Sequence, residues 1–236
     1  MKNTRVITLG NQKGGCSKTT CCLNIAYTYA NTYGKKVLLI DLDSQASSSL
    51  NVGINVTDEN VNTIDELLGA YVRREITSFE WEDVQNFIYT PTYMARKRVP
   101  NSTKWETVNL PFGFDVMPSA LPLSLVELQM SLVAKGGKTY SYYLYDLIEC
   151  IKMNAEYDVI ICDTPPALSN ISINAMMCSV DGIIIPSNLD IMSYRGIASF
   201  KESAEYVQEA AAQRGIEHRG ILGILLSLYS ERRSVD

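Results

Sequence analysis

Short, almost unbroken apolar runs alternate along this chain with stretches in which apolar residues recur at helical spacing. The runs at 5–9, 36–41, 114–117, 157–163, 181–186 and 219–226 read as strands. The stretches at 20–33, 120–134, 139–154, 169–178 and 196–213 read as helices, the first with Leu23, Ala26, Tyr27 and Ala30 on one face. Strands that are apolar throughout, rather than at every second residue, are covered on both faces. The pattern therefore predicts an α/β fold, a mostly parallel sheet with helices on both sides. In such sheets ligands gather beyond the carboxyl ends of the strands.

One stretch, about 75–112, breaks the rhythm. It holds Trp81 and Trp105, three prolines (Pro91, Pro100, Pro111), and the basic run Arg96-Lys97-Arg98 followed by Lys104. Tyr-Thr-Pro-Thr-Tyr at 89–93 and Val-Pro-Asn-Ser at 99–102 supply turn chemistry. We read it as an insertion with hairpin or loop structure of its own. Its basic run, in a chain of net charge −5, marks it as a surface for DNA or for a partner protein. The remainder reads as one domain over 1–236, an ordinary globular composition at 46% hydrophobic and 20% charged residues. No apolar run approaches the ~18 residues of a membrane span, and the amino end carries no signal-peptide pattern. A cytoplasmic protein is expected. The six cysteines fit that compartment, with no C-x-x-C spacing and His218 as the one histidine in the chain.

The chemistry collects where three strands end. After the strand at 5–9 comes Gly10-Asn11-Gln12-Lys13-Gly14-Gly15-Cys16-Ser17-Lys18-Thr19-Thr20, and then a helix. A strand, a Gly-rich turn and a helix opening at Lys-Thr cradle a phosphate chain: backbone N–H groups wrap the anion and the lysine reaches its outer oxygens. The strand at 36–41 ends in Asp41 and Asp43, a spacing that sends both to one side. Such a pair suits a Mg²⁺ shell or the positioning of an attacking water. The strand at 157–163 ends in Asp163-Thr164-Pro165-Pro166, a second acid for the same edge.

The general phosphate-loop pattern G-x-x-x-x-G-K-[ST] is not met, because Gln12 and Ser17 stand at its glycine positions. What stands instead is Lys-Gly-Gly-x-x-Lys-Thr, with a second lysine, Lys13, at the head of the loop. This loop resembles that of the deviant Walker A ATPases, the ParA/MinD superfamily of P-loop proteins. The resemblance extends to Asp41-Leu42-Asp43-Ser44-Gln45, where the family has Asp-x-Asp-Pro-Gln, and to the Asp-x-Pro-Pro switch at Asp163. It covers nearly the whole chain outside 75–112.

The resemblance implies a Mg²⁺-dependent ATPase that hydrolyses slowly and partitions DNA, whether plasmid, mobile element or chromosome. ATP would bind Lys13, Gly14, Gly15, Cys16, Ser17, Lys18, Thr19 and Thr20. Lys13 would cross to the nucleotide of a second subunit in an ATP-dependent homodimer, Lys18 would neutralise the transferring phosphoryl group, and Asp43 would orient the water. Thr19 and Asp163 would hold Mg²⁺, with Asp41 behind them. A ParB-type DNA-bound adaptor would stimulate hydrolysis, and the protein would be free in the cytoplasm or associated with the nucleoid. Arg232 falls on an arginine that in some members contacts DNA nonspecifically; Ser230 replaces the neighbouring acid, and Glu205 stands near a second such arginine. Family members continue past this point with a helix, a strand beside the adenine and closing helices, so these elements are expected to be missing from a chain ending at Asp236.

Other classes are set against this reading. A MinD-like membrane-positioning ATPase would need an amphipathic carboxyl-terminal helix, and none is visible before Asp236. A tyrosine kinase of the same superfamily is suggested by Tyr140, Tyr142, Tyr143 and Tyr145, but that cluster lies on a helix and reads as packing. A nucleotide-dead scaffold would keep the fold without the hydrolysis.

Overall fold

The computed structural model describes residues 3–100, 103–134, 142–188, 191–213 and 215–227, with residues 191–195 described by their backbone alone. Arg232, Ser230 and Tyr140 lie outside the described residues. In chain order the strands are β1 (Arg5–Leu9), β2 (Val37–Asp41), β3 (Thr92–Arg98), β4 (Trp105–Pro111), β5 (Asp115–Met117), β6 (Val159–Asp163), β7 (Gly182–Asn188) and β8 (Ile221–Ser227). The helices are α1 (Lys18–Tyr33), α2 (Ser47–Asn51), α3 (Ile64–Arg73), α4 (Trp81–Val84), α5 (Leu123–Ala134), α6 (Tyr143–Asn154), α7 (Asn170–Cys178) and α8 (Ile191–Ala212).

Six strands form one sheet in the order β5-β2-β6-β1-β7-β8, every neighbouring pair parallel. Alternation along each central strand divides its side chains between two cores. Leu38 and Ile40 of β2 and Ile160 and Cys162 of β6 join α3, α5, α6 and α7 on one face through Leu68, Met130, Leu147 and Ile171. Val37 and Leu39 of β2 and Val159 and Ile161 of β6 meet Cys22 and Ala26 of α1 on the other. A third cluster seats α8 on β7 through Phe200, Ala204 and Val207 against Ile183 and Ile185. The expected parallel sheet, covered on both faces, is the architecture observed.

Register brings the chemistry together. Leu9 of β1 and Asp41 of β2 both pair with Asp163 of β6, so the three strands end level. Leu42 N donates to Asp163 O at 2.9 Å, and Thr164 Oγ1 donates to Leu9 O at 2.9 Å, tying the turns that follow.

The stretch at 75–112 divides in two. Phe79 and Val84 are buried, and Trp81 and Phe87 pack against the larger core, because Trp81, Val84 and Phe87 recur every third residue through α4 and the 3₁₀ turn after it. Only the second half is a hairpin. β3 and β4 pair antiparallel from Thr92↔Pro111 to Arg98↔Trp105 and form a separate two-stranded ribbon. Its base is held by Tyr93 against Phe112 (ring centroids 5.0 Å apart) and by Asn31 Nδ2 of α1 donating to Phe112 O at 2.7 Å.

Candidate nucleotide site

The loop after β1 is built by its neighbours. Asn11, 1% exposed, donates to Pro186 O at 2.7 Å and accepts the Lys13 amide at 3.1 Å, pinning the loop to β7. Asn188 Nδ2 donates to Gly15 O at 3.3 Å, and Ser227 Oγ lies 3.2 Å from Cys16 O and 2.9 Å from Asn188 Oδ1. These contacts turn the carbonyls of residues 15 and 16 onto the ends of β7 and β8. Because a trans peptide sets N–H opposite C=O, the amides of Cys16 and Ser17 are aimed the other way. α1 then starts at Lys18 with no side-chain cap and no acid in its first turn, leaving its N-terminal amides and dipole for an anion.

Two backbone positions in the loop are left-handed. Gly15 has φ +71°, natural for glycine, and Ser17 has φ 66° at the position where the general pattern has glycine. The loop thus keeps its shape without its usual residue. Gly10 has another role: a Cβ there would fall 2.4 Å from the Phe200 ring, so glycine lets α8 settle against the start of the loop. A Cβ on Gly196 would lie 3.4 Å from Asn11 Oδ1 and 3.9 Å from Lys13 Cβ, which sets α8 beside Lys13 as well.

Lys18 is 7% exposed, and its ammonium donates to Lys13 O at 3.1 Å, so the charge is held inside the loop. Across from it stand the two carboxylates. Asp41 is fully buried: Ser49 N and Ser49 Oγ donate to its Oδ2 at 2.9 and 2.7 Å, and the Asp43 amide donates to Oδ1 at 3.2 Å. Burial, and then the Asp163 charge, push its carboxyl up to about 7 against those hydrogen bonds. Asp163 is 1% exposed. Ser48 Oγ donates to its Oδ2 at 2.8 Å, while Oδ1 is buried without a hydrogen bond of ordinary geometry. Burial raises its carboxyl too, opposed by the Ser48 hydroxyl and by Thr19, Cys22 and the Lys18 charge nearby. Two buried acids on paired strands, with one oxygen unpartnered and a threonine hydroxyl close by, make a donor set that fits a hard divalent cation. Asp43 lies beyond the end of β2, half-buried, with its Oδ1 accepting the Gln45 amide at 2.9 Å in a tight turn.

The structure therefore brings Lys13, Gly14, Gly15, Cys16, Ser17, Lys18 and Thr19 to one loop, and Asp41, Asp43 and Asp163 to the same edge of the sheet. Thr20 follows in the first turn of α1, exposed like Gly14 and Gly15. The pairing of Asp41 with Asp43 is looser than strand alternation suggests, because β2 ends at Asp41 and only Asp41 is locked in the core. Sequence reasoning missed Asn11, Ser48, Ser49, Asn188 and Ser227, which hold the loop and both acids. A signal for two of them existed: three serines directly after Gln45-Ala46 at a strand end. Of the tyrosine cluster the described members, Tyr142, Tyr143 and Tyr145, pack as expected: Tyr71 stacks edge-on against Tyr143 at 5.7 Å and donates to Asp146 at 2.6 Å, and Tyr142 lies 6.1 Å from Tyr145. His218 is a satisfied core histidine, with Nδ1 accepting the Gly220 amide at 2.9 Å and Nε2 on Met176 O at 2.8 Å. No helix among the described residues is long and apolar enough to cross a membrane.

Comparison with known proteins agrees with this geometry. The AAA domain family matches residues 4–216. A chromosome partitioning protein ParA of Caulobacter vibrioides is 30% identical over 232 residues, covering 98% of this chain and 72% of its own. Among solved structures, a cobyrinic acid a,c-diamide synthase of Mycobacterium smegmatis with an ATP analogue and magnesium bound superposes with a TM-score of 0.69 at 24% identity, over 98% of this chain and 77% of that one. A plasmid partition protein of Borrelia burgdorferi superposes with a TM-score of 0.60 at 23% identity, over 98% and 82%. At these identities the two structures speak for the fold.

Proposed function

The chain belongs to the ParA/MinD-type family of P-loop ATPases, and from that premise we propose that it is an ATP-driven dimerisation switch that partitions DNA. The observation that carries the reading is the placement of Lys18 inside a loop whose Gly15 and Cys16 carbonyls are turned onto β7 and β8, so that the amides after them point the other way, near the buried Asp163 whose Oδ1 lacks a hydrogen bond. The loop amides and the α1 N-terminus would bind the phosphates of ATP, and Lys18 would offset charge on the transferring phosphoryl group. Thr19 Oγ1 and Asp163 would hold Mg²⁺, which when bound neutralises phosphate oxygens. Asp43, on the turn beyond β2, would orient a water for in-line attack, while Asp41 keeps that turn in place through the Asp43 amide and Ser49. Lys13, at the rim of the loop beside α8, would reach the nucleotide of a second subunit. Hydrolysis would then reset dimer to monomers, because ATP favours the paired form. A ParB-type adaptor bound to the cargo DNA would set the pace.

The test is dimerisation, followed by light scattering, and hydrolysis, each with Mg-ATP or Mg-ADP and with or without DNA. The wild type should dimerise only with ATP. Asp43→Ala should bind ATP, accumulate as dimer and lose hydrolysis by about 100-fold; Lys13→Ala should bind ATP and stay monomeric. If Asp43→Ala gathers no dimer and Lys13→Ala pairs and hydrolyses like the wild type, the reading fails. A protein of the MinD type would instead sediment with anionic lipid vesicles when ATP is present.

A further inference from the structure

The β3–β4 ribbon has two unlike faces. Strand alternation sends Tyr93, Ala95 and Lys97 to one side with Leu110, Val108 and Glu106, and sends Met94, Arg96 and Arg98 to the other with Asn109, Thr107 and Trp105. On the first side Tyr93, Ala95 and Val108 are half-buried, and Lys97 stands directly opposite Glu106. On the second side every residue is exposed, Met94 at 72% and Trp105 at 58%. The basic run read from the sequence is therefore split. Lys97 faces an acid across the ribbon, while Arg96 and Arg98 share the outer face, about 6.8 Å apart along β3.

We propose that this outer face binds double-stranded DNA, with Arg96 and Arg98 on backbone phosphates. Charge complementarity is the first argument. Residues 92–111 carry four cations and one acid in a chain of net charge −5, so positive charge is concentrated where the remaining chain is acidic. Shape is the second. A two-stranded antiparallel ribbon is one of the few protein elements that enters the major groove of a duplex. The outer face also carries Thr107 and Asn109, hydrogen-bonding groups suited to phosphate and sugar, beside Trp105, a large apolar surface. Position is the third. The ribbon runs into β5 through Phe112 and Phe114, at the amino end of that parallel strand, and the phosphate loop lies at the carboxyl end of the sheet. DNA held by the ribbon leaves the nucleotide loop and Lys13 accessible.

Binding is set by phosphate neutralisation, so it is salt-dependent and indifferent to base sequence. It does not depend on nucleotide hydrolysis, which keeps its failure separate from failure of the switch. The experiment measures fluorescence anisotropy of a labelled random-sequence duplex of about 40 bp over a salt series, with nucleotide-free protein and with Mg-ATP. The double variant R96A/R98A should bind at least about 10-fold more weakly, and its plot of log K against log salt should flatten by about 2 in slope. The variant R96K/R98K, which keeps both charges, should recover the slope, and Lys97→Ala should change it by less. ATP hydrolysis without DNA should be the same in all of them. The proposal is overturned if the wild type does not bind the duplex, if R96A/R98A binds it with unchanged slope, or if a polyglutamate peptide competes as well as duplex of equal charge.

Discussion

Charged side chains at the two ends of this sheet live under opposite physics. At the carboxyl end Lys18, Asp41 and Asp163 are 7%, 0% and 1% exposed, locked by serine hydroxyls, loop carbonyls and one another. In the ribbon at the other end Arg96, Arg98 and Lys104 are exposed. A buried charge costs several kcal/mol to desolvate and must be met by a partner or a ligand; an exposed one costs little and is screened by salt. Substitutions at the buried end should therefore be large, specific and felt by stability and chemistry together. At the exposed end they should be small, additive and erased by salt.

The largest effect expected is at Asp163. Burial raises its carboxyl, its charge in turn raises that of Asp41, and its Oδ1 is buried without a hydrogen bond of ordinary geometry. Asp163→Asn removes one of two neighbouring buried charges and, on the proposed function, a magnesium ligand. Hydrolysis should fall by about 100-fold. In EDTA the variant should nevertheless melt about 2–4 °C higher than the wild type, the shift of roughly 1 kcal/mol in a chain of this size. Mg-ATP should raise the melting temperature of the wild type and not of the variant. A variant that melts lower in EDTA, yet is still stabilised by Mg-ATP, would show that the two acids are not a charge pair awaiting a cation. Calorimetry in both buffers decides it.

A sharper form of the comparison uses two hydrogen bonds of the same chemistry and length. Ser49 Oγ donates to Asp41 Oδ2 at 2.7 Å inside the core, and Ser78 Oγ donates to Glu80 Oε1 at 2.7 Å on the surface. Ser49→Ala also strips an acceptor from the Ser119 amide, 3.3 Å from Ser49 Oγ. It should cost about 1–3 kcal/mol, since a buried charge and a buried amide each lose a partner that water cannot replace. Ser78→Ala should stay within about 0.5 kcal/mol, because water takes over the carboxylate. Urea midpoints with unchanged slopes would measure both. Equal costs would mean that burial does not govern this edge of the sheet.

The same division explains what is legible in the sequence. The level strand ends, the Lys-Thr helix start and Asp163 are local patterns, an apolar run stopping at a charged or glycine-rich residue, and they stand where expected. Helix α3 is a local pattern too, though it is absent from the expected elements. Ile64, Leu67, Leu68 and Val72 recur at helical spacing after Thr63, whose amide is capped by Glu66 Oε1 at 3.1 Å. Asn11 on Pro186 has no local signature, and the serine run that holds Ser48 does not say that its partner is Asp163, because each bond joins residues more than a hundred positions apart. The two faces of the ribbon are likewise hidden. Arg96-Lys97-Arg98 is one basic run in sequence, and only the register with Glu106 and Trp105 separates its members.

The smallest effects expected lie in the loop itself, where two left-handed residues respond oppositely to exchange. Gly15 has φ +71° and nothing within 4 Å of the place a Cβ would occupy, so Gly15→Ala meets no clash but must hold a conformation that costs an L-residue about 1 kcal/mol. Ser17 already bears that strain at φ 66°. Ser17→Gly relieves it, yet glycine gains about 0.5–1 kcal/mol of backbone freedom in the unfolded chain, which offsets nearly all of the relief. Gly15→Ala should therefore lower stability by about 1 kcal/mol, and Ser17→Gly should leave it within about 0.5 kcal/mol of the wild type, both read from urea midpoints. Unlike Asp163 or Ser49, neither residue buries a charge, so neither shift should depend on EDTA or salt. If Ser17→Gly stabilises by about 1 kcal/mol or more, on the order of the full left-handed penalty, the serine is strained beyond its backbone and the loop is held in tension by its neighbours on β7 and β8.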